Sequence, residues 1–527
     1  MKLRFWRRGA GEFIRAVTYF GRSQPVNFWD AAPLAEVPGH LARIRDDGFN
    51  TVILVVPWRG FQRTLCPSTF DPVNIEKLRR ILGAVDRAGL GSILRVGYAW
   101  NNDPDSELGV DERGLGLFTR QEVRDAWVVY LGTLKRVAAS VSGFRFAFFS
   151  WEDLPSIRQL MVHRSKEQRL ALAEATGFRA FLRSRYDLAK LAQLYGETLR
   201  DYSDVYIPLP VCEAYRTYNE FVNRALGDLL TLGRTVWPRL TMQVRADFDR
   251  VEIGGEIVWV ENDVRAWDPN LRVSYYFPYM YAQNCGETLS AREALANLAH
   301  MMERLSDGGR NPKHFLDQFV FYDESPQFRH WASIDASELP EFLVGAVDVL
   351  KTLSRGYGIW NYFDYRDNHL YNPSFLRGLH GWKACGEVSV RSVGDFSAWA
   401  MLAPGAHLSQ QMVPEWRGNA TNLYESVSFR ALAAVADAPG RLRLSTNGTV
   451  EAEVTIAPGE PREVTAELRP GLHRGAEVAK FSIENFGSAP VELTELCVWG
   501  FVYRSCIYDE EGRPGRLLQH IRAMNHR

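Results

Sequence analysis

Between Phe13 and Tyr365 the chain repeats one cadence eight times: a short apolar run, a polar or aromatic stop, and then a helical period or a long loop. The runs are FIRAVTYF at 13–20, TVILVVPW at 51–58, SILRVGYAW at 92–100 and FAFFSWEDLPS at 146–156. They continue with LTMQVRADFD at 240–249, LRVSYYFPYMY at 271–281, HFLDQFVFYDES at 314–325 and GYGIWNYFDY at 356–365. Helical patterns fall between them at about 34–46, 73–89, 120–140, up to 195, 212–236, 291–306 and 339–353. Strands that are apolar on successive residues need cover on both faces, as in a parallel sheet wrapped by helices. Eight strand-helix steps are the number that closes such a sheet, so residues 1–370 are expected to form a (β/α)8 barrel.

After Tyr371 the texture changes. Short alternating segments such as RLRLSTNGTVEAEVTI, separated by Gly, Pro and Asn, predict an all-β sandwich of jelly-roll type over 371–505. The remainder, 506–527, is polar and basic; it could dock as a helix, but a frayed tail is the reading chosen.

Composition narrows the chemistry. A formal net charge of −1 gives no field for nucleic acid or anionic lipid. No apolar run approaches a membrane span, and the basic start MKLRFWRRGAGEFIRAVTYF lacks the apolar stretch of a signal peptide, so a cytoplasmic location is expected. Six cysteines without CxxC spacing read as free, mostly buried thiols. There is no HExxH, GxSxG or phosphate-binding glycine motif, so neither a metal nor any other cofactor is expected.

In a β/α barrel, residues at the C-terminal ends of the strands carry the chemistry. Two such ends deliver carboxylates, Glu152 with Asp153 after the fourth strand and Asp323 with Glu324 after the seventh. Rings gather at other ends: Trp58, Tyr98, Trp100, Trp151, Trp360 and Tyr362, with Tyr279 among the tyrosines of the sixth run. Such rings can stack on pyranose faces, while Arg59, Asn101 and Asp364 can bind hydroxyls; packing is the competing explanation for each. Carboxylates at strand ends also cap helices, and Asp153 or Asp323 can do only that. Arg95, inside the third strand, is expected to be a buried partner for a carboxylate.

With these parts in order, the chain resembles glycoside hydrolase clan A, the retaining β/α-barrel glycosidases, families 42, 35 and 5 among them. FRAFLRSRYDLAKLAQLYGE at 178–197 is similar to the helix after strand four in family 42, SILRVGYAW to the third strand of family 35, and GYGIWNYFDY to an eighth strand carrying the clan's active-site Trp. NPSFLRGLHGW at 372–382 resembles the start of jelly-roll carbohydrate-binding modules. The resemblance implies Glu152 as acid/base and Glu324 as nucleophile, roughly 5 to 5.5 Å apart across a sugar ring. Glu152, after Phe148, Phe149 and Trp151, has the apolar surroundings that keep an acid protonated.

One position departs from the clan: Trp151 stands where an Asn ordinarily binds the sugar 2-hydroxyl. Asn101 or Asn361 would have to make that contact, or the substrate differs at its second carbon. The expectation is therefore a retaining hydrolase of a β-linked oligo- or polysaccharide. The alternatives are a non-catalytic carbohydrate-binding protein and a transglycosylase of polysaccharide assembly.

Overall fold

A computed structural model describes the chain apart from residues 1–11, 23–26, 32–33, 99–106, 151–163, 210, 244–248, 254–255, 261–271, 279–281, 283, 285, 307–313, 326–330, 367, 413–426, 470–478, 501 and 505–506. Eight parallel strands form a closed barrel: β1 (Ile14–Thr18), β2 (Thr51–Pro57), β3 (Gly91–Tyr98), β4 (Phe144–Ser150), β5 (Leu240–Gln243), β6 (Arg272–Tyr276), β7 (His314–Phe319) and β8 (Gly356–Ile359). The ring closes where Ile14 pairs with Gly356 and Val17 with Ile359. β2 and β3 are buried along their whole length, which is why their sequences are apolar at every step rather than at every second one.

Alternation along each strand sorts side chains into two cores. Ala16, Ile53, Ile93, Phe146, Phe148, Val273 and Phe315 point inward and fill the lower barrel. Val17, Val52, Leu54, Ala147, Phe149 and Leu316 point outward into the larger core beneath the helices. A Cβ at Gly358 would lie 2.5 Å from Ile53 Cδ1 and 2.8 Å from the Asp317 carbonyl oxygen, so only glycine lets β8 pack against this interior.

The longer helices around the barrel include α1 (Val37–Asp46), α2 (Pro72–Arg87), α3 (Gln121–Ala138), α4 (Tyr215–Val236), α5 (Ala291–Leu305) and α6 (Leu339–Leu353). Their starts are legible in the sequence. Asp71 accepts from the Asn74 N–H at 2.9 Å with Pro72 at the first helical position, and Ser290 with Glu293 forms a capping box at α5. Between β5 and β6 the described residues contain a two-stranded hairpin, Asp249–Ile253 with Glu256–Val260, and no helix.

Beyond β8 the chain enters two five-stranded antiparallel sheets. Phe429, Ala431, Leu442, Leu444, Phe481, Ile483 and Leu493 from both share one core. The strand Val427–Val435 alternates strictly between buried and partly exposed positions, the pattern of a sheet covered on one face. This all-β unit docks through Arg377, whose side chain is 5% exposed. It donates to Asp71 Oδ2 at 2.8 Å and Asn74 Oδ1 at 2.7 Å, and it pairs with Asp30. The residue that caps α2 thus also anchors the second domain.

The C-terminal stretch corrects the expectation of a frayed polar tail. Leu518–His526 is a helix, α7, with Leu518, Ile521 and Met524 buried on one face. It occupies the place of the helix that should follow β8, between α1 and α6. On one side Asn525 donates to the Asp47 carbonyl at 2.8 Å and Arg522 Nε to the Asp47 carboxylate at 2.8 Å; on the other Arg527 donates to the Val344 carbonyl at 3.0 Å. The chain leaves the barrel at Tyr365–Arg366 and returns at Val502–Tyr503, and these two short strands pair antiparallel. The β domain is therefore inserted between the eighth strand and its helix. Four apolar residues in a basic segment gave too weak a period to distinguish docking from fraying.

Because Ile521 is fully buried, Ile521→Ala should cost about 2–4 kcal/mol of stability. Urea unfolding followed by tryptophan fluorescence would measure this, and an unchanged midpoint would show that α7 is not part of the barrel core.

Candidate active site

Above the apolar floor of the barrel lies a layer of polar side chains, one from each of four strands. Arg95 of β3 faces Asp317 of β7 at 4.0 Å and Ser150 of β4 at 3.5 Å. Gln243 of β5 donates to Asp317 Oδ1 at 2.7 Å and accepts from the Ser150 hydroxyl. All four are at most 2% exposed. A buried charge left unpaired costs several kcal/mol, so Arg95 and Asp317 compensate each other, as expected for an arginine within a strand.

Over this layer Val55, Tyr98 and Trp360 form a small cluster, with the Arg95 guanidinium carbon 5.5 Å from the Tyr98 ring centroid and 6.0 Å from that of Trp360. Trp360 remains partly exposed, and the peptide linking it to Asn361 is cis. Two of the predicted rings, from β3 and β8, are thus brought together at the C-terminal end of the barrel.

The end of β7 supplies the acids. The Glu324 side chain is 48% exposed, and its Oε1 lies 3.5 Å from Nη2 of Arg516, whose guanidinium also stacks 4.4 Å from the Tyr322 centroid. Its neighbour Asp323 lies in more buried surroundings than Glu324. Burial pushes its carboxyl up to about 6; hydrogen bonds from Ser325, including one from the backbone N–H at 2.7 Å, act against this, and the negative charge of Asp364 adds to it. Asp364 is itself 8% exposed, with its backbone N–H on the Tyr508 carbonyl at 2.8 Å.

Other predicted residues lie elsewhere. Trp58 is buried behind the barrel wall, donating to Gln62 at 2.6 Å with its ring against Tyr130, so it is a packing residue. Tyr362 also points outward: its hydroxyl donates to Asp47 at 2.6 Å, and burial with that carboxylate pushes its phenol far up. Both follow strands whose outward positions feed the helical core, and position at a strand end alone could not tell the two faces apart. Arg59 is half-buried on the short helix Trp58–Phe61. Asn361 donates to the Phe363 carbonyl at 2.5 Å. Trp100, Asn101, Trp151, Glu152 and Tyr279 lie outside the described residues.

The sequence reading missed the layer of Ser150, Gln243 and Asp317, and it missed Arg516. The signal for the first was present: a polar residue at an inward position in an otherwise apolar strand needs a partner. Among the described residues, no group of three or more His, Cys, Asp or Glu could hold a metal ion, and no helix is long and apolar enough to cross a membrane. Of the cysteines, Cys66 and Cys385 are exposed rather than buried.

No protein-family model matches the sequence, and no curated protein matches it. Solved structures with a similar arrangement include an exo-β-1,4-mannosidase from Opitutaceae bacterium strain TAV5, at 15% identity over 68% of this chain with a TM-score of 0.42. The match spans 54% of that chain, little more than half its length. A GH5_18 protein from Bifidobacterium longum subsp. infantis aligns at 13% identity over 68% of this chain and 72% of its own, TM-score 0.42. A GH5_18 protein from Streptomyces cattleya, solved with GlcNAc, aligns at 16% over 68% and 73%, TM-score 0.41. At these scores the likenesses add nothing to what the strand order itself establishes.

The titration of Asp323 is testable. Its folded-state value lies above the ordinary carboxylate value near 4, so the stability tied to its protonated form is complete below about pH 4 and is lost as pH rises through about 6. Asp323→Asn should therefore be more stable than wild type at pH 7 by about 1–2 kcal/mol. Urea midpoints measured from pH 4 to 8 should converge at the acid end, and a pH-independent gap would refute the assignment.

Proposed function

We propose that this protein is a retaining glycoside hydrolase acting on a β-linked oligo- or polysaccharide, with Glu324 as nucleophile and Glu152 as acid/base. The observation that carries the reading is an exposed carboxylate, Glu324, following the seventh strand of a closed eight-stranded barrel whose interior below holds Tyr98, Trp360 and a satisfied polar layer. A sugar needs an apolar ring to stack on and fixed polar groups to orient it, and a barrel mouth floored in this way supplies both. In β4, Phe146 and Phe148 belong to the inner core and Ser150 to the polar layer, and Glu152 is the next residue but one in the same alternation of the sequence.

The chemistry is a double displacement. Glu324 attacks the anomeric carbon while Glu152, protonated, gives its proton to the departing glycosidic oxygen. Glu152 then takes a proton from water as that water displaces Glu324, and the anomer is retained. The β domain could hold glycan or brace the barrel; Trp399 on it is 8% exposed and packs rather than presenting a binding face.

A panel of 4-nitrophenyl β-glucoside, galactoside, mannoside and xyloside tests the proposal. Wild type should release nitrophenol from at least one, Glu324→Gln should abolish release, and Glu152→Gln should slow hydrolysis of an unactivated disaccharide by about 10²–10⁴. Proton NMR of the first-formed product should show the β anomer. Binding without turnover across the panel would favour the carbohydrate-binding reading, and an α product would exclude retention.

A further inference from the structure

Arg516 belongs neither to the barrel strands nor to their loops. It follows the inserted β domain and precedes α7, and yet it reaches the end of β7. Its backbone is held on both sides: the Gly515 N–H donates to the Ile507 carbonyl at 2.8 Å, and Leu517 and Leu518 are buried at 3% and 2% exposure. The segment is tied to the barrel again where Tyr508 bridges to Phe363, and Ser325, next to Glu324, accepts from the Arg504 N–H at 3.2 Å. The guanidinium lies over the Tyr322 ring with its centre 4.4 Å away, and Nη2 is 3.5 Å from Glu324. A guanidinium placed over a ring keeps its charge available to a carboxylate alongside.

We propose that Arg516 is a positioning residue for Glu324, holding that carboxylate charge-paired and aimed at the barrel mouth, so that the segment after the β domain completes the site as well as the fold. The inference rests on the reading of Glu324 as nucleophile. One arginine thereby links the integrity of the β domain, through which the chain must pass, to the reactivity of the barrel.

The test is kinetic, on the full chain with the 4-nitrophenyl glycoside that wild type hydrolyses best. Arg516→Ala should lower kcat about fivefold or more with KM altered much less, the pattern of a contact that matters in the transition state. Arg516→Lys, which keeps the charge, should recover part of the loss. Arg513→Ala removes the same charge from the same segment, where Arg513 pairs with Asp509 and Glu511, and should leave kcat unchanged. Thermal melts should show every variant folded, because the Arg516 side chain is 47% exposed.

Turnover surviving in Glu324→Gln would overturn the nucleophile reading and the role of Arg516 together, as would a wild-type chain that hydrolyses none of the glycosides. Loss in Glu324→Gln with wild-type kcat in Arg516→Ala would overturn the role of Arg516 alone. Higher activity in Arg516→Ala would identify a blocking contact and overturn it as well.

Discussion

The Asp47 carboxylate is the point on which the closed architecture depends. It is fully buried at the end of α1 and accepts from three directions: the Tyr362 hydroxyl at 2.6 Å, the Tyr508 hydroxyl at 3.0 Å and Arg522 Nε at 2.8 Å. Those donors come from the segment after β8, the return from the β domain and α7, regions that sequence distance would keep apart. A buried carboxylate is tolerable only when its lone pairs are satisfied, so the three segments must converge for the first helix to pack. Gly48 beside it has φ +86°, and a Cβ there would lie 2.8 Å from Asn525 Cβ, so α7 approaches the turn as closely as the backbone allows.

The same logic of satisfied buried charge recurs at Arg377 and in the barrel interior. At the domain junction, burial opposes ionisation of Asp71, but Arg377, the Asn74 N–H and Arg63 together hold its carboxyl below the usual range. Inside the barrel, Arg95 and Asp317 lie below the Tyr98–Trp360 pair and are tied to β4 and β5 through Ser150 and Gln243. These networks make the floor beneath the mouth rigid, because moving any strand end would strand a charge or an amide without a partner.

After β7, two neighbouring acids sit in different surroundings. Glu324 is half-exposed beside Arg516, whereas Asp323 has more buried surroundings that it shares with Asp364. The capping role considered for Asp323 takes the form of a local turn: its carboxylate accepts from the Ser325 N–H two residues on.

What the sequence alone determined was periodic. Continuous apolar runs at β2 and β3 specified two-faced burial and so a parallel barrel; strict alternation at 427–435 specified a one-faced sheet; Asp71-Pro72 and Ser290-x-x-Glu293 marked helix starts. Arg95 announced a buried acid because a guanidinium within an apolar strand has no other stable solution. Tertiary structure decided everything that depends on which face a residue takes or on partners far apart in the chain. It assigned Trp58 and Tyr362 to packing, although both looked like rim residues, since one step along a strand exchanges interior for exterior. It turned a basic tail into the helix that follows β8 in the ring, and it brought Arg516 to Glu324 across 192 positions, because α7 can bury its few apolar residues only in the gap that the inserted β domain leaves in the ring of helices.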